Sequence, residues 1–124
     1  MKYSVNAKSC PDALGAASKG TTAGRLVFVS AQLPVDENGA LVAGGICEQA
    51  ALVLDHVEAI LSEVGLDLSD VAKTTVYLAD LNDLEAFDDV YGGRIELPRP
   101  ARTVVGDRDL PLGALVQMDA VACR

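Results

Sequence analysis

The sequence has no tryptophan, a single histidine, few aromatic residues and three cysteines without a CxxC pair. Stacking of nucleic-acid bases on aromatic side chains is therefore disfavoured, as is a metal site of histidines and cysteines. Cys10, Cys47 and Cys123 are far apart in the chain and odd in number, which argues against a disulfide framework. We interpret all three as small hydrophobic residues.

Positive charge is also scarce, with 10 lysines and arginines against 18 aspartates and glutamates and a net charge of −8. Such a surface repels phosphate backbones, so we expect no nucleic-acid partner. No apolar run approaches membrane length, and the N-terminal residues "MKYSVNAKSC" lack the apolar core of a signal peptide. We expect a cytoplasmic protein without a membrane partner.

The 124 residues, half of them hydrophobic, predict one domain over residues 1–124. The element order is roughly β-β-α-β-α-β-β, a mixed α+β pattern. The strands are predicted at 25–34, 71–80, 101–105 and 114–123, and the first helix at 45–64.

The two helices carry different end signals. In the first, apolar residues recur at helical spacing, and His56 falls on the polar side, where we expect a solvated side chain. The second helix is predicted to begin with Asn82 as N-cap, in a capping box with Glu85, and to break at Gly92–Gly93.

The sheet is predicted to be apolar on both faces. Two helices can cover only one face of a sheet of this size. In strand 25–31, however, Leu26 and Phe28 alternate with Val27 and Val29, and strand 114–122 has a similar pattern. Another subunit is the simplest cover for the second face, so the sequence predicts a homo-oligomer.

Arg102 interrupts an apolar strand and needs an anionic partner. One interpretation is a salt bridge to a neighbouring acidic residue, which is the usual role of an arginine in a strand. The other is a small carboxylate ligand, which a guanidinium holds through two parallel hydrogen bonds. Arg99 and Arg108 flank the strand, and we expect both to be solvated.

Four segments in order resemble the RidA family of imine deaminases, also called the YjgF family. They are "VFVSAQLP" at 27–34, "VAKTTVYLADLNDLEAF" at 71–87, "RPARTVV" at 99–105 and "LPLGALVQMDAVA" at 110–122. A weaker match, "ALGAASKG" at 13–20, extends the resemblance over nearly the whole chain. The resemblance implies a chorismate-mutase-like α+β fold with two helices on one face of a mixed sheet, and a homotrimer with sites between subunits.

The resemblance also implies an activity. Family members hydrolyse 2-imino acids, which arise from 2-aminoacrylate-type enamines, to 2-keto acids and ammonia without a cofactor. By position, Arg102 would bind the substrate carboxylate, and Asp119 would stand for the glutamate that handles water or the nitrogen proton. Ser30 and Ala31 would line the pocket, with Ala31 in place of the usual glycine.

Three further pocket positions depart from the family pattern. Ala17 replaces a tyrosine, Asp88 replaces an asparagine in the second helix, and Val104 stands where cysteine is common. Loss of the tyrosine opens the pocket. Two alternatives therefore stay open: a trimeric, non-catalytic binding module for small carboxylates, and a deaminase of a larger, aminomuconate-like imine.

Two other activities are disfavoured by the residues. A chorismate mutase would need several basic groups converging on a dicarboxylate, whereas only Arg102 is expected to lie in an interior strand. Ribonuclease activity, sometimes associated with the family, is opposed by the negative charge and by the lack of a histidine pair.

Overall fold

The computed structural model describes residues 1–124 and contains one six-stranded sheet and two α-helices. The strands are β1 Lys2–Val5, β2 Gly20–Ala23, β3 Leu26–Gln32, β4 Val71–Leu78, β5 Ala101–Gly106 and β6 Val116–Cys123. The helices are α1 Ile46–Ser62 and α2 Leu84–Arg94. This is a mixed α+β fold, as the sequence predicts.

The sheet order is β1-β2-β3-β6-β4-β5. β4 and β5 are parallel and are joined through α2, whereas every other neighbouring pair is antiparallel. β3 and β4 both run antiparallel to β6 and are joined through α1. Crossovers between parallel strands of one sheet are almost always right-handed, which places both helices on the same face.

The hydrophobic core lies between that face and the helices. It forms one cluster of 22 buried residues from the strands, the helices and the N-terminal segment. Its fully buried members include Leu54 and Ile60 of α1, Phe87 of α2, and Val76 and Leu78 of β4. The alternation of β4, with Val76 and Leu78 inside and Tyr77 outside, is the two-residue period that the sequence predicts.

The opposite face of the sheet, which we call the open face, carries no helix. Leu26 and Phe28 lie there with 42% and 40% of their surface exposed, and Val105 joins them at 37%. Large apolar side chains therefore occupy both faces of β3, as predicted.

Helix α1 matches its predicted range, but its buried arc is wider than the apolar pattern indicates. His56 is buried, with Nε2 2.7 Å from the backbone oxygen of Val35, so the prediction of a solvated histidine is wrong. Gln49 is buried as well, and its Oε1 accepts a hydrogen bond of 2.8 Å from the N–H of Leu115. Neighbouring loops cover these polar side chains and use them to satisfy backbone groups.

The start and end of α2 differ from prediction. Asp80, and not Asn82, provides the cap: its carboxylate accepts the N–H of Asn82 and starts a single turn that leads into the helix. At the other end, the helix continues through Gly92–Gly93 to Arg94. Tyr91 and Ile95 on either side of the glycines are buried in the core, and Arg94 pairs with Asp55 of α1 at 2.9 Å. These tertiary contacts hold the last turn despite the low helical propensity of glycine.

The strand count before α1 was underestimated. The chain makes three strands there, because β1 and β2 are four-residue strands without an apolar run that would reveal them. The turn predicted at Glu37-Asn38-Gly39 closes only an isolated bridge between Val35 and Leu41. β6 begins two residues later than predicted, after a single turn at Pro111–Gly113.

The cysteines fall into two groups. Cys10 is buried in the core, where burial raises the pKa of its thiol. Cys47 and Cys123 are exposed, so only Cys10 contributes to the core as a small hydrophobic residue. No helix of the structure combines the length and the apolar character that crossing a bilayer requires.

Two glycines test this packing in opposite directions. A methyl group on Gly20 would lie 2.9 Å from the backbone oxygen of Phe28 and 3.0 Å from a methyl carbon of Ile60. A methyl group on Gly93 would meet nothing within 4 Å. We expect Gly20→Ala to lower the free energy of unfolding by about 1–3 kcal/mol and Gly93→Ala to raise it by about 0.5–1 kcal/mol. Denaturant unfolding at one fixed protein concentration measures both changes, and equal effects would contradict the packing described.

Candidate functional site

Asp119 lies on the open face, opposite an irregularity in the neighbouring strand. The pairing of β3 with β6 shifts by one residue between Val29 and Gln32. As a result, Ser30 and Ala31 together lie opposite Asp119 alone, which is a β-bulge. Bulges of this kind re-aim side chains and are common beside active sites.

The bulge borders an open cleft of about 790 Å³. Asp119 lines it together with Ser30 and Ala31, and Ala17 approaches from the segment before β2. Ala17, Ser30 and Ala31 also line an adjoining cleft of about 460 Å³. The structure thus brings together four of the site residues predicted from the sequence.

Ser30 fixes the loop that carries Ala17. Its hydroxyl donates a hydrogen bond of 2.6 Å to the backbone oxygen of Ser18, and its N–H donates to the oxygen of Lys19 at 2.9 Å. Lys19 is itself buried and donates to two backbone oxygens, including that of Ala7 at 2.8 Å. Because the Ser30 hydroxyl donates inward, its lone pairs can accept a hydrogen bond from a ligand in the cleft.

Ala31 causes no backbone strain at the bulge. Leu112, and not Ala31, is the non-glycine residue with positive φ, so the extended backbone at 31 accommodates a methyl group. Ala31, which stands in place of the usual glycine, therefore narrows the cleft by one methyl group and does not strain the backbone.

Tyr77 is a neighbour of Asp119 on the open face that the sequence did not reveal. It shares the open face with Asp119. Thr75 of β4 is paired with Asp119 of β6, and Tyr77 lies two residues further along β4, on the same face as Thr75. Partial burial, reinforced by the negative charge of Asp119, raises the pKa of the Tyr77 hydroxyl. The hydroxyl thus stays protonated at neutral pH and can donate a hydrogen bond to the carboxylate. Strand alternation in the sequence indicates only that Tyr77 faces away from the core. That Asp119 lies near it depends on the pairing register of β4 with β6, which the sequence does not reveal.

Arg102 lies on the other face of the sheet. Its pairing partner across β4 is Thr74, which is fully buried on the helix side. β5 is the edge strand of the sheet, so the expectation of an interior strand is wrong. Val104, two residues further along on the same side, packs against the core and lines neither the Asp119 cleft nor the cleft beside Arg102.

The anion beside Arg102 in this chain is Asp88 of α2. Nη1 and Nη2 of Arg102 donate to the two carboxylate oxygens of Asp88, the second at 3.2 Å. The guanidinium also lies 4.9 Å from the centroid of the Tyr91 ring, whose hydroxyl is 2.9 Å from Oγ1 of Thr74. These hydrogen bonds to Asp88 raise the pKa of Arg102, although partial burial works in the opposite direction. The salt-bridge interpretation is therefore correct within the chain.

The pair does not use all the donors of the guanidinium. Asp88 occupies Nη1 and Nη2, which leaves Nε–H free of hydrogen bonds within the chain. The side chains of Arg102 and Asp88 are 25% and 42% exposed. They line a cleft of about 330 Å³ together with Tyr91, Gly92, Arg99 and Pro100.

The two halves of the predicted site are therefore separate within one protomer. Thr74 and Thr75 are consecutive on β4 and point to opposite faces, and they pair with Arg102 and Asp119 respectively. A site that uses both side chains requires a second copy of the chain. No group of three or more His, Cys, Asp or Glu side chains is arranged to hold a metal ion.

Comparison with known proteins gives concordant results. The family model described as Endoribonuclease L-PSP matches residues 7–124. A protein from Capra hircus named 2-iminobutanoate/2-iminopropanoate deaminase is 36% identical over 119 residues, which cover 95% of this chain and 87% of that protein.

Solved structures agree with this match. RidA from the Antarctic bacterium Psychrobacter superposes with a TM-score of 0.94 at 31% identity, covering 98% of this chain and 99% of that one. TdcF of E. coli, solved with bound serine, superposes with a TM-score of 0.91 at 32% identity and covers 98% of both chains.

Removal of the Asp88 charge tests whether this carboxylate competes with a ligand for Arg102. We expect Asp88→Asn to raise the affinity for 2-oxobutanoate about twofold to fivefold, since a partly exposed pair is worth about 1 kcal/mol or less. Isothermal titration calorimetry measures the change. Asp89→Asn is the matched control, because Asp89 is the exposed next residue of α2. Weaker binding in Asp88→Asn would show that Asp88 orients the guanidinium and does not compete for it.

Proposed function

Because the chain belongs to the Endoribonuclease L-PSP family, also known as the RidA or YjgF family, we propose that it hydrolyses 2-imino acids to 2-keto acids and ammonia. The observation that carries the proposal is the carboxylate of Asp119 opposite the bulge at Ser30–Ala31, in an open cleft. The relative from Capra hircus supports the reaction class, since its name specifies the imines of small monocarboxylic acids.

The chemistry requires a water molecule at the imine carbon and a route for protons. Asp119 holds the water and accepts its proton as the oxygen bonds to C2. This proton then passes to the nitrogen, which gives a carbinolamine with a hydroxyl and an amino group on C2. The remaining hydroxyl proton is transferred through Asp119 to the same nitrogen as the C2–O double bond forms and the C2–N bond breaks, so that ammonia leaves a 2-keto acid. Tyr77, on the same face, can donate a hydrogen bond to the Asp119 carboxylate. The electrophile is the substrate's own imine, so the reaction uses no cofactor.

Arg102 anchors the substrate carboxylate in this proposal. A guanidinium can bind one carboxylate end-on and another through Nε and the adjacent Nη, so the Asp88 pair and the substrate can be held together. The relative TdcF, solved with bound serine, supports a ligand of this size that carries a carboxylate. Ser30 accepts a hydrogen bond from the nitrogen of the ligand.

A homotrimer would join the two halves of the site. The apolar side chains of the open face, including Leu26 and Phe28, favour burial against another copy. In this arrangement, Arg102 of one protomer faces Asp119 of its neighbour, and the interface excludes water from the ion pair with the substrate. We also place the protein in the cytoplasm, where exposed thiols such as Cys47 and Cys123 remain reduced.

A non-catalytic binding module for small carboxylates is the second candidate. It is favoured by the pairing of Asp88 with Arg102 and by the open cleft at Ala17. Turnover separates the two candidates. The endoribonuclease activity in the family's name is disfavoured by the net charge of −8 and by the burial of His56, whose ring is committed to the backbone of Val35.

Arg102→Lys tests the anchor. Lysine keeps the charge but lacks the planar fork, so we expect a loss of about 2–3 kcal/mol in affinity for 2-oxobutanoate by calorimetry. Arg108→Lys, in an exposed loop, is the control and should bind normally. Light scattering should give three times the 12.9 kDa chain mass for all forms. Unchanged affinity would restrict Arg102 to its pair with Asp88, and a monomer would rule out the site between subunits.

Asp119→Asn tests the acid–base group. With a coupled enzyme that generates 2-aminoacrylate, we expect keto-acid release to fall about a hundredfold or more, with nearly unchanged affinity for 2-oxobutanoate. Asp119→Glu should be no faster than the natural protein, since the added methylene moves the carboxylate by about 1 Å. Asp109→Asn, an exposed loop aspartate, is the control. Equal rates above background in all forms would show that Asp119 takes no part.

A further inference from the structure

The cleft beside Arg102 contains a second guanidinium. Arg99 was expected to be solvated, and its side chain is exposed, but it lines the same 330 Å³ cleft as Arg102. The cleft is therefore more basic than an anchor for one carboxylate requires.

The two guanidiniums lie along one turn of α2. Arg102 contacts Asp88 and the Tyr91 ring, whereas Nη2 of Arg99 would be 3.6 Å from a methyl group placed on Gly92. Residues 88 and 92 are four apart, so their positions on one helix face are separated by about 5–6 Å. The absence of a side chain at Gly92 leaves room for Arg99 to lie over the helix.

The Nη donors of Arg99 are unused within the chain. Its one hydrogen bond within the chain runs from Nε to the backbone oxygen of Ile95 at a long 3.4 Å, and it forms no salt bridge. Two arginines and one aspartate, Asp88, give the cleft a net charge of +1 in a chain whose net charge is −8. Unpaired Nη groups beside a partly satisfied guanidinium favour a ligand with a second anionic group.

The backbone around Arg99 limits the cost of ordering it. Pro98 and Pro100 flank the residue, and proline fixes φ on both sides. A side chain on a restricted backbone loses less freedom when a ligand orders it, which increases affinity without additional contacts.

We propose that the preferred substrates are 2-imino dicarboxylic acids, the imines of acidic amino acids. Arg102 binds the carboxylate next to the imine through Nε and an adjacent Nη. Arg99 binds the side-chain carboxylate through its Nη groups, at about the spacing of one helical turn. This inference rests on the proposed function, which supplies the reaction, and assigns to Arg99 the choice of substrate.

The test compares two ligands that differ in one group. 2-Oxoglutarate and 2-oxopentanoate have the same chain length, but only the first has a terminal carboxylate. By calorimetry, we expect the natural protein to bind 2-oxoglutarate about tenfold or more tightly than 2-oxopentanoate. Arg99→Gln should abolish this preference and leave the affinity for 2-oxopentanoate unchanged. Arg108→Gln should keep the preference, and thermal unfolding verifies that each variant is folded.

Binding and turnover separate the two levels of the proposal. Equal affinity for the two ligands in the natural protein, or an equal loss of both in Arg99→Gln, would overturn the role of Arg99. Hydrolysis of monocarboxylic imines without faster hydrolysis of the imine of glutamate would overturn the substrate class while the proposed function stands. An Arg99-dependent preference for 2-oxoglutarate without hydrolysis of either imine would support the dicarboxylate site and overturn the proposed function.

Discussion

The two-residue period of β4 is the constraint on which the arrangement of the site depends. Thr74 faces the helices and Thr75 faces away from them, and each is paired on both sides. Arg102 therefore lies among the side chains of α2, and Asp119 lies on the open face. Because a one-residue slip in register would exchange the faces, the burial of Val76 and Leu78 fixes the separation of these two groups.

The sequence predicted those elements that are marked by a pattern of neighbouring residues. The alternation of buried residues in β4 and the helical spacing of apolar residues in α1 are strong patterns. Both helices also lie on one face of the sheet, as predicted. The predictions failed for elements and side chains whose surroundings are formed by residues far along the chain. His56 is polar and lies on the less apolar side of α1, yet the loop at Val35 covers it. β1 and β2 are stabilised by neighbouring strands and not by their own composition.

The candidate site shows the same division. The resemblance identified Ser30, Ala31 and Asp119 individually, but the bulge that sets two residues against one arises from the pairing of β3 with β6. The sequence indicates that Arg102 needs an anion and that Asp88 departs from the family pattern, but the contact between them depends on how α2 packs on the sheet. Arg99 is exposed, as expected, but nothing in the sequence indicates that its guanidinium lies beside Gly92 in the cleft of Arg102.

The placement of Arg102 and Asp119 on opposite faces has a genetic consequence under the proposed trimer. Each site would draw its guanidinium from one protomer and its carboxylate from the next around the ring. A chain that lacks the arginine and a chain that lacks the carboxylate would each be inactive alone. When they co-assemble, every mixed ring contains one junction at which both intact residues meet. Two recessive defects in this chain would thus complement each other, which is not expected of an enzyme whose catalytic groups lie in one protomer.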